Sequence, residues 1–221
     1  MLHPPYQEPF RPQFHFTPEG NWMNDPNGMV YHEGEYHLFY QYNPFGDKWG
    51  HMSWGHAISR DLVHWKHLPI ALAEEGDLGI YSGSAIVDFA NSSGFGRDGP
   101  PLVAVYTGDR EESSTNPRVE DQRLAYSNDR GRTWIRYPGN PVLDVGSPDF
   151  RDPKVFWHEQ TKRWIMAVVV PMAKKIGLYA SADLKRWTPL SEFGPAGVWR
   201  DPTILGMPRL VFTRRWRESR T

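Results

Sequence analysis

The chain has 221 residues, of which 39% are hydrophobic and 23% charged, the composition of an ordinary globular protein. That length is enough for one large core and short for two. The net charge of −1, with Lys and Arg along most of the chain, excludes a strongly basic surface for nucleic acid or an anionic membrane. The absence of cysteine excludes disulfides and thiolate metal sites.

Targeting signals are not visible in the sequence. Residues 1–10 have no basic segment followed by an apolar one, so we predict a cytoplasmic location, or a secreted one if an upstream signal was lost. No run of about 18 apolar residues occurs, so no membrane span is expected. The arginines near the C-terminus are predicted to form a solvated, poorly ordered tail: Arg209, Arg214, Arg215, Arg217 and Arg220.

Strand-like segments rich in Val, Ile, Tyr, Phe and Trp follow one another along the chain, separated by Gly, Pro, Asn and Asp. The first group comprises residues 28–32, 36–42 and 54–58, then Ser59-Arg-Asp61 and Trp65. The second comprises residues 84–89, 102–107 and 124–126, then Ser127-Asn-Asp129 and Trp134. The third comprises residues 154–158, 163–170 and 177–180, then Ser181-Ala-Asp183 and Trp187.

Each group predicts four strands with the Ser-x-Asp turn before the last one. Helical periodicity is nearly absent, so the sequence predicts an all-β fold of the β-propeller type, built from four-stranded blades. We interpret the Ser-x-Asp segments as tight turns that bond their own backbone, with the following Trp packed between blades. Residues after about Glu192 are predicted to begin a fourth unit. Three blades and a fragment cannot close a propeller, so strands are missing or a partner supplies them.

Two carboxylates occupy equivalent places in this pattern. The innermost strands of a propeller line its central cavity, and Asp25 and Asp152 stand near the start of two of them. Each precedes a proline, which restricts the backbone. Convergent carboxylates at a pocket are what acid/base or nucleophilic sugar chemistry requires. Asp-Pro alone is also a common turn dipeptide, so the neighbouring residues must show whether these aspartates belong to a turn or to a catalytic site.

Those neighbours form a series of motifs. In chain order they are NWMNDPNG at 21–28, QYNP at 41–44, Trp49 followed by GHMSWGH at 50–56, YSGS at 81–84 and FRDP at 150–153. Together they resemble glycoside hydrolase family 32, which includes invertases, exo-inulinases and levanases, over residues 14–199. The resemblance implies a five-bladed β-propeller followed by a β-sandwich. We therefore expect an incomplete propeller domain over residues 1–199, a divergent tail over 200–221, and no sandwich.

The resemblance also implies roles for individual residues. Asp25 matches the nucleophile that attacks the anomeric carbon of a terminal fructosyl unit in a retaining mechanism, with the two carboxyl groups about 5–5.5 Å apart. Asp152 matches the transition-state stabiliser, and Arg151 would pair with neighbouring carboxylates. Further residues match positions that line the fructose pocket: Asn24, Gln41, Trp49, Tyr81 and Ser82. No cofactor or metal is implied, and His51 and His56 are expected to be structural.

The motif for the general acid/base departs from the family pattern. The family has a Glu directly after a Trp, whereas Trp199 is followed by Arg200 and Asp201. Arginine cannot donate a proton near neutral pH, and general acid catalysis is typically worth about 10²–10⁴-fold. Neither Asp201 nor Glu192 is a convincing replacement. We expect a disrupted or truncated coding sequence whose activity is in question.

Several functions fit these observations. The first is hydrolysis of terminal β-D-fructofuranosyl units of sucrose or of the fructans inulin and levan. The second is fructan binding without catalysis, and the third is fructosyl transfer by the same fold. A propeller glycosidase acting on arabinose or xylose is disfavoured by the first motif, NWMNDPNG.

Overall fold

A computed structural model describes residues 7–112, 115 and 117–195, which form three four-stranded antiparallel sheets. The first sheet contains β1 (Met23–His32), β2 (Glu35–Tyr42), β3 (Ser53–Ser59) and β4 (Trp65–Leu72). The second contains β5 (Leu78–Val87), β6 (Leu102–Arg110), β7 (Val119–Ser127) and β8 (Ile135–Arg136). The third contains β9 (Arg151–His158), β10 (Arg163–Val170), β11 (Lys175–Ser181) and β12 (Thr188–Phe193).

Strand order follows chain order in every sheet, so each sheet is one propeller blade. The first strands of the blades are the innermost: β1 packs against β5, and β5 packs against β9. The predicted all-β propeller of three blades is therefore confirmed. Over the ranges just given there is no helix, and hence none long and apolar enough to cross a membrane.

The predicted start of a fourth unit after about Glu192 falls where the described residues end, so it stays a prediction. Glu192 lies in β12, where it pairs with Gly177 of β11, so the third blade continues to Phe193. All six residues of β12 are exposed. Residues 196–221, which include the expected boundary at 199/200 and the arginine cluster, lie outside the described residues.

The second blade is packed on both faces, and its strand β6 shows how. Val103 and Val105 point into an apolar cluster shared with the third blade, around Phe150 and Met166. Ala104 and Tyr106 point the opposite way, into a cluster shared with the first blade. Side chains alternate across a strand, so the continuous apolar run of β6 fills two interfaces at once.

The three Ser-x-Asp segments form the same turn. In the second blade, Ser127 Oγ donates to Asp129 Oδ1 at 2.7 Å and accepts the Gly131 amide at 2.8 Å. Asp129 Oδ1 also accepts the Thr133 amide at 2.9 Å. The third residue after each serine has a left-handed backbone, with φ of 65° at Leu62, 59° at Arg130 and 64° at Leu184. The turns are thus structural, as predicted.

The tryptophans after the turns pack largely as expected. Trp134 meets Phe39 of the first blade edge-on, with ring centroids 5.4 Å apart. Trp187 packs against the cluster between the second and third blades. Trp65 instead contacts Phe16, which precedes the first blade. Two of these rings therefore seal blade interfaces, and the third attaches the N-terminal segment.

Replacing Ser127 with alanine should lower the free energy of unfolding by about 1–2 kcal/mol. The hydroxyl is buried, and its loss leaves the Gly131 amide without this acceptor. Urea denaturation measures the change. Ser191→Ala on the exposed strand β12 is the matched control and should shift stability by less than about 0.5 kcal/mol. Equal stability of the two variants would contradict the structural role of the turn.

Candidate active site

Asp25 lies inside β1, in a stretch where the strand departs from regular pairing. The register with β2 shifts twice, between Met23 and Pro26 and again between Asn27 and Val30. Such irregularities change the direction in which side chains point, and they are common at sheet edges and next to active sites. The half-buried Asp25 carboxylate accepts a hydrogen bond at 2.9 Å from the hydroxyl of Ser82 on β5. Two residues predicted to share a site thus meet across adjacent blades.

Gly28 makes this arrangement of β1 possible. Its φ is +52°, and an added Cβ would lie 2.7 Å from the ring of Phe39 and 3.0 Å from Ala85. Only glycine fits such a position without moving the core. The motif at 21–28 therefore combines a carboxylate with the glycine that lets its strand pack closely.

Asp152 lies at the start of β9 and is 92% buried, since only 8% of its surface is exposed. Its φ is +59°, in the left-handed region, and its amide donates to Thr107 Oγ1 at 3.0 Å. The next carbonyl, of Pro153, accepts a hydrogen bond at 2.9 Å from Ser84 of β5. The strained backbone is therefore held from two strands of the second blade.

The pKa of Asp152 is raised from 3.8 to about 7. Burial is the largest cause, the charge of Asp25 adds to it, and Glu120 adds further, while Arg151 opposes the rise. A repulsion of this kind requires the two aspartates to be near each other. The innermost strands of the first and third blades thus bring the two carboxyl groups near each other, and Asp152 is protonated below about pH 7.

Arg151 is held by carboxylates, as predicted. Its Nη2 donates to Asp149 Oδ1 at 2.5 Å, and its Nε lies 3.3 Å from Oε2 of Glu120. These acidic partners raise the pKa of the guanidinium even though burial opposes it. Asp149 and Glu120 were not identified from the sequence, because neither belongs to a motif and Glu120 lies 31 positions before Arg151.

Trp49 and Tyr81 line a cleft of about 420 Å³. Their rings meet edge-on with centroids 6.4 Å apart, and Trp49 is 60% exposed. Burial and the neighbouring carboxylate of Asp109 raise the pKa of the Tyr81 hydroxyl. Tyr81 is next to Ser82 on β5, the strand whose Ser82 hydroxyl donates to Asp25. An exposed aromatic face beside hydrogen-bonding groups suits the apolar face and hydroxyls of a sugar.

The remaining predicted pocket residues are placed differently from one another. Asn24 is exposed beside Asp25. Gln41 is buried, and its amide donates to the Ile80 carbonyl at 2.9 Å, which ties β2 to β5. Asn27, which was not singled out, is fully buried, and its Nδ2 has no hydrogen-bond partner among the described residues. Arg200 and Asp201, at the expected acid/base position, lie outside the described residues.

His51 and His56 do not come together. His51 pairs with Glu74 at 2.6 Å near the cleft, whereas His56 is buried and lies 3.0 Å from the ring nitrogen of His37. Burial lowers the pKa of His56, and His37 adds to this effect. In the described ranges, no group of three or more His, Asp or Glu side chains has an arrangement that would hold a metal ion.

Comparison with known proteins gives a consistent result. Residues 15–209 match the model of the glycosyl hydrolases family 32 N-terminal domain. The chain is 55% identical to a levanase of Bacillus subtilis, over 92% of this chain and 30% of the levanase. It is 46% identical to an extracellular exo-inulinase of Aspergillus awamori, over 92% of this chain and 42% of that protein.

Solved structures agree on the fold. The crystal structure of the exo-inulinase from Aspergillus awamori superposes with a TM-score of 0.81 at 44% identity, covering 86% of this chain and 41% of that one. A fructofuranosidase from Schwanniomyces occidentalis, complexed with fructose, gives a TM-score of 0.78 at 46% identity, covering 83% and 36%. The chain spans less than half the length of each of these relatives.

Proposed function

The chain belongs to glycoside hydrolase family 32, and from this premise we propose that its site acts on terminal β-D-fructofuranosyl units of sucrose or of fructans such as inulin and levan. The observation that carries the proposal is the pair of carboxyl groups, Asp25 and Asp152, on innermost strands of two blades. The similarity to a levanase and an exo-inulinase supports this class of substrate.

In the proposed chemistry, Asp25 attacks the anomeric carbon and the bond to the leaving-group oxygen breaks, giving a fructosyl ester. Ser82 orients the attacking carboxylate through its hydrogen bond to Oδ2. Asp152 and Arg151 hold the fructose hydroxyls, and Asp152 stabilises the positive charge that develops on the ring. Water then attacks the same anomeric carbon and releases a proton to the solvent while the bond to Asp25 breaks, so that fructose leaves and the carboxylate of Asp25 is regenerated.

The leaving group needs a proton, and the sequence has Arg200 where the family has its acid/base Glu. We propose that this substitution slows turnover of sucrose and fructans without removing the nucleophile. Fructan binding without turnover is the extreme case of the same proposal. Transfer to a second sugar in place of water would yield longer oligosaccharides, which product analysis distinguishes from fructose release.

The test uses β-D-fructofuranosyl fluoride beside sucrose, inulin and levan. Fluoride departs without protonation, so this substrate needs the nucleophile and not the acid. We expect a burst of fluoride and a covalent fructosyl adduct detectable by intact mass. Asp25→Asn should reduce fluoride release at least about a thousandfold.

Asp98→Asn is the matched control, because this aspartate is exposed in the loop between β5 and β6. It should behave as the parental chain. Folded parental protein that releases no fluoride, or an Asp25→Asn variant as fast as the parent, would refute the role of Asp25. Fluoride release without fructose release from sucrose would locate the deficiency in the proton donor.

A further inference from the structure

Glu120 is a buried carboxylate that the proposed chemistry does not use. It lies on β7 with no exposed surface. Its Oε2 accepts the Phe150 amide at 2.8 Å and lies 3.3 Å from Arg151 Nε. Its Oε1 accepts a hydrogen bond from Arg118 Nη2 at 3.1 Å. Both oxygens are thus occupied, and Oε2 is directed at the segment that carries Asp152.

Arg151 is clamped between two acidic groups. Glu120 approaches Nε from β7, and Asp149 accepts from Nη2 at 2.5 Å. Asp149 is itself fixed, because its other oxygen accepts the Met172 amide at 2.5 Å. A guanidinium is a planar fork, and here the hydrogen bond at Nη2 fixes one of its arms. Nε has no hydrogen-bond partner among the described residues, so Glu120 acts on it through its charge at 3.3 Å.

Arg118 extends the same network to the wall of the cleft. Its Nε donates to Asp109 Oδ1 at 2.7 Å, while its Nη2 reaches Glu120. Burial raises the pKa of the Tyr81 hydroxyl, and the neighbouring carboxylate of Asp109 adds to this effect. Asp109 and Glu120 are both buried, whereas 40% of the Arg118 side chain is exposed. Each buried charge therefore has an opposite charge beside it, which is the condition for burying them at all.

We propose that Glu120 is a positioning residue that fixes the Arg151 guanidinium beside Asp152 and links it, through Arg118 and Asp109, to the Tyr81 wall of the cleft. The inference rests on the proposed roles of Asp152 and Arg151 in holding fructose. It goes beyond them because Glu120 touches no part of the cleft and acts only through its neighbours.

The charges around Asp152 set the direction of the expected effect. Asp25 approaches from β1, Glu120 from β7, and Arg151 precedes Asp152 on its own strand. Glu120 repels the ionised form of Asp152, and Arg151 attracts it. Neutralising Glu120 removes the repulsion and leaves Arg151 less compensated, so the pKa of Asp152 should fall.

The experiment compares Glu120→Gln with the parental chain by NMR in the absence of substrate. Exchange of the Arg151 Nε proton should accelerate about tenfold, because Glu120→Gln removes the negative charge that lies 3.3 Å from Nε and keeps the buried guanidinium in place. The pKa of the Asp152 carboxyl, assigned by its absence in Asp152→Asn, should fall by roughly 0.5–1 pH unit. Unchanged proton exchange together with an unchanged pKa would overturn the proposal.

Asp121→Asn is the matched control, since Asp121 is equally buried on β7 but pairs with Arg110 and Arg123. An equal change at Arg151 in this variant would mean general loosening and would also overturn the proposal. Arg118→Gln provides a second variant that alters only a partly exposed group. It should accelerate exchange of the Arg151 Nε proton by a smaller factor. Unchanged exchange of this proton in both Glu120→Gln and Arg118→Gln would overturn the proposal. The proton exchange rate and the pKa of Asp152 are both measured without turnover. This test therefore remains valid even if the fluoride assay fails.

Discussion

Asp152→Asn is expected to raise the free energy of unfolding at pH 8 by about 2–3 kcal/mol while impairing sugar chemistry. A pKa about three pH units above its ordinary value corresponds to roughly 4 kcal/mol between the protonated and ionised forms. Asparagine keeps the shape and a hydrogen-bonding side chain but removes the buried charge. The smaller expected gain allows for the cost of burying an amide.

The pH dependence shows whether the stability gained by Asp152→Asn comes from removing the buried charge. The folded chain retains the Asp152 proton up to about pH 7, whereas the unfolded chain releases it near pH 4. The stability that comes with the raised pKa is therefore complete below pH 4 and is lost as pH rises through 7. The advantage of Asp152→Asn over the parent should accordingly vanish near pH 4 and be complete above pH 7.

Urea denaturation between pH 4 and pH 8 tests this prediction. Asp121→Asn is the contrasting variant, because Asp121 is also buried but is ion-paired with Arg123 and Arg110. Removing a partner of a buried pair destabilises, so this variant should be less stable than the parent. A pH-independent difference between Asp152→Asn and the parent would show that Asp152 bears no unfavourable charge. Slower fluoride release by Asp152→Asn would show that the charge is kept for function at the expense of stability.

Gly83→Ala is expected to lower the free energy of unfolding by about 3 kcal/mol or more. An added Cβ would lie 2.7 Å from Tyr106 Cα and closer still to the Val105 carbonyl oxygen. Both are backbone atoms of β6, so the clash is relieved only by separating β5 from β6. Because Gly83 follows Ser82, the separation also moves the hydroxyl that holds Asp25.

Gly79→Ala on the same strand is the matched control. Its added Cβ would meet the Tyr81 ring at 3.3 Å, and a side-chain ring can yield. We expect a change of less than about 1 kcal/mol for this variant. Urea denaturation of both variants and fluoride release measure the effects. Equal stability of Gly83→Ala and Gly79→Ala would mean that close approach of β6 does not require glycine at position 83.

Much of the fold follows from local sequence. Runs rich in Val, Ile, Tyr, Phe and Trp and the Ser-x-Asp turns predicted three blades of four strands at nearly the observed positions. The motif strands were predicted too short, however. Asp25 and Tyr81 lie within β1 and β5, because register shifts let these strands continue through residues that read as turns.

The residues of the candidate site also fall into those that the sequence predicted and those that it did not. Asp25, Ser82, Arg151 and Asp152 were predicted as site residues because each belongs to a short motif that resembles the family. Glu120 was not found, since it is recognisable only by partners that other strands bring to it. An isolated glutamate in a strand is usually a solvated side chain, and nothing in its neighbours indicates otherwise.

The sequence by itself thus determined the blades, their turns and the two aspartates, because these depend on neighbours within about ten residues along the chain. Only the tertiary structure decided that Ser82 holds Asp25, that Thr107 and Ser84 hold the backbone around Asp152, and that the pKa of Asp152 is raised. The physical reason is that burial and charge repulsion act through space. They depend on strands that are far apart in the chain and adjacent only after the blades have packed.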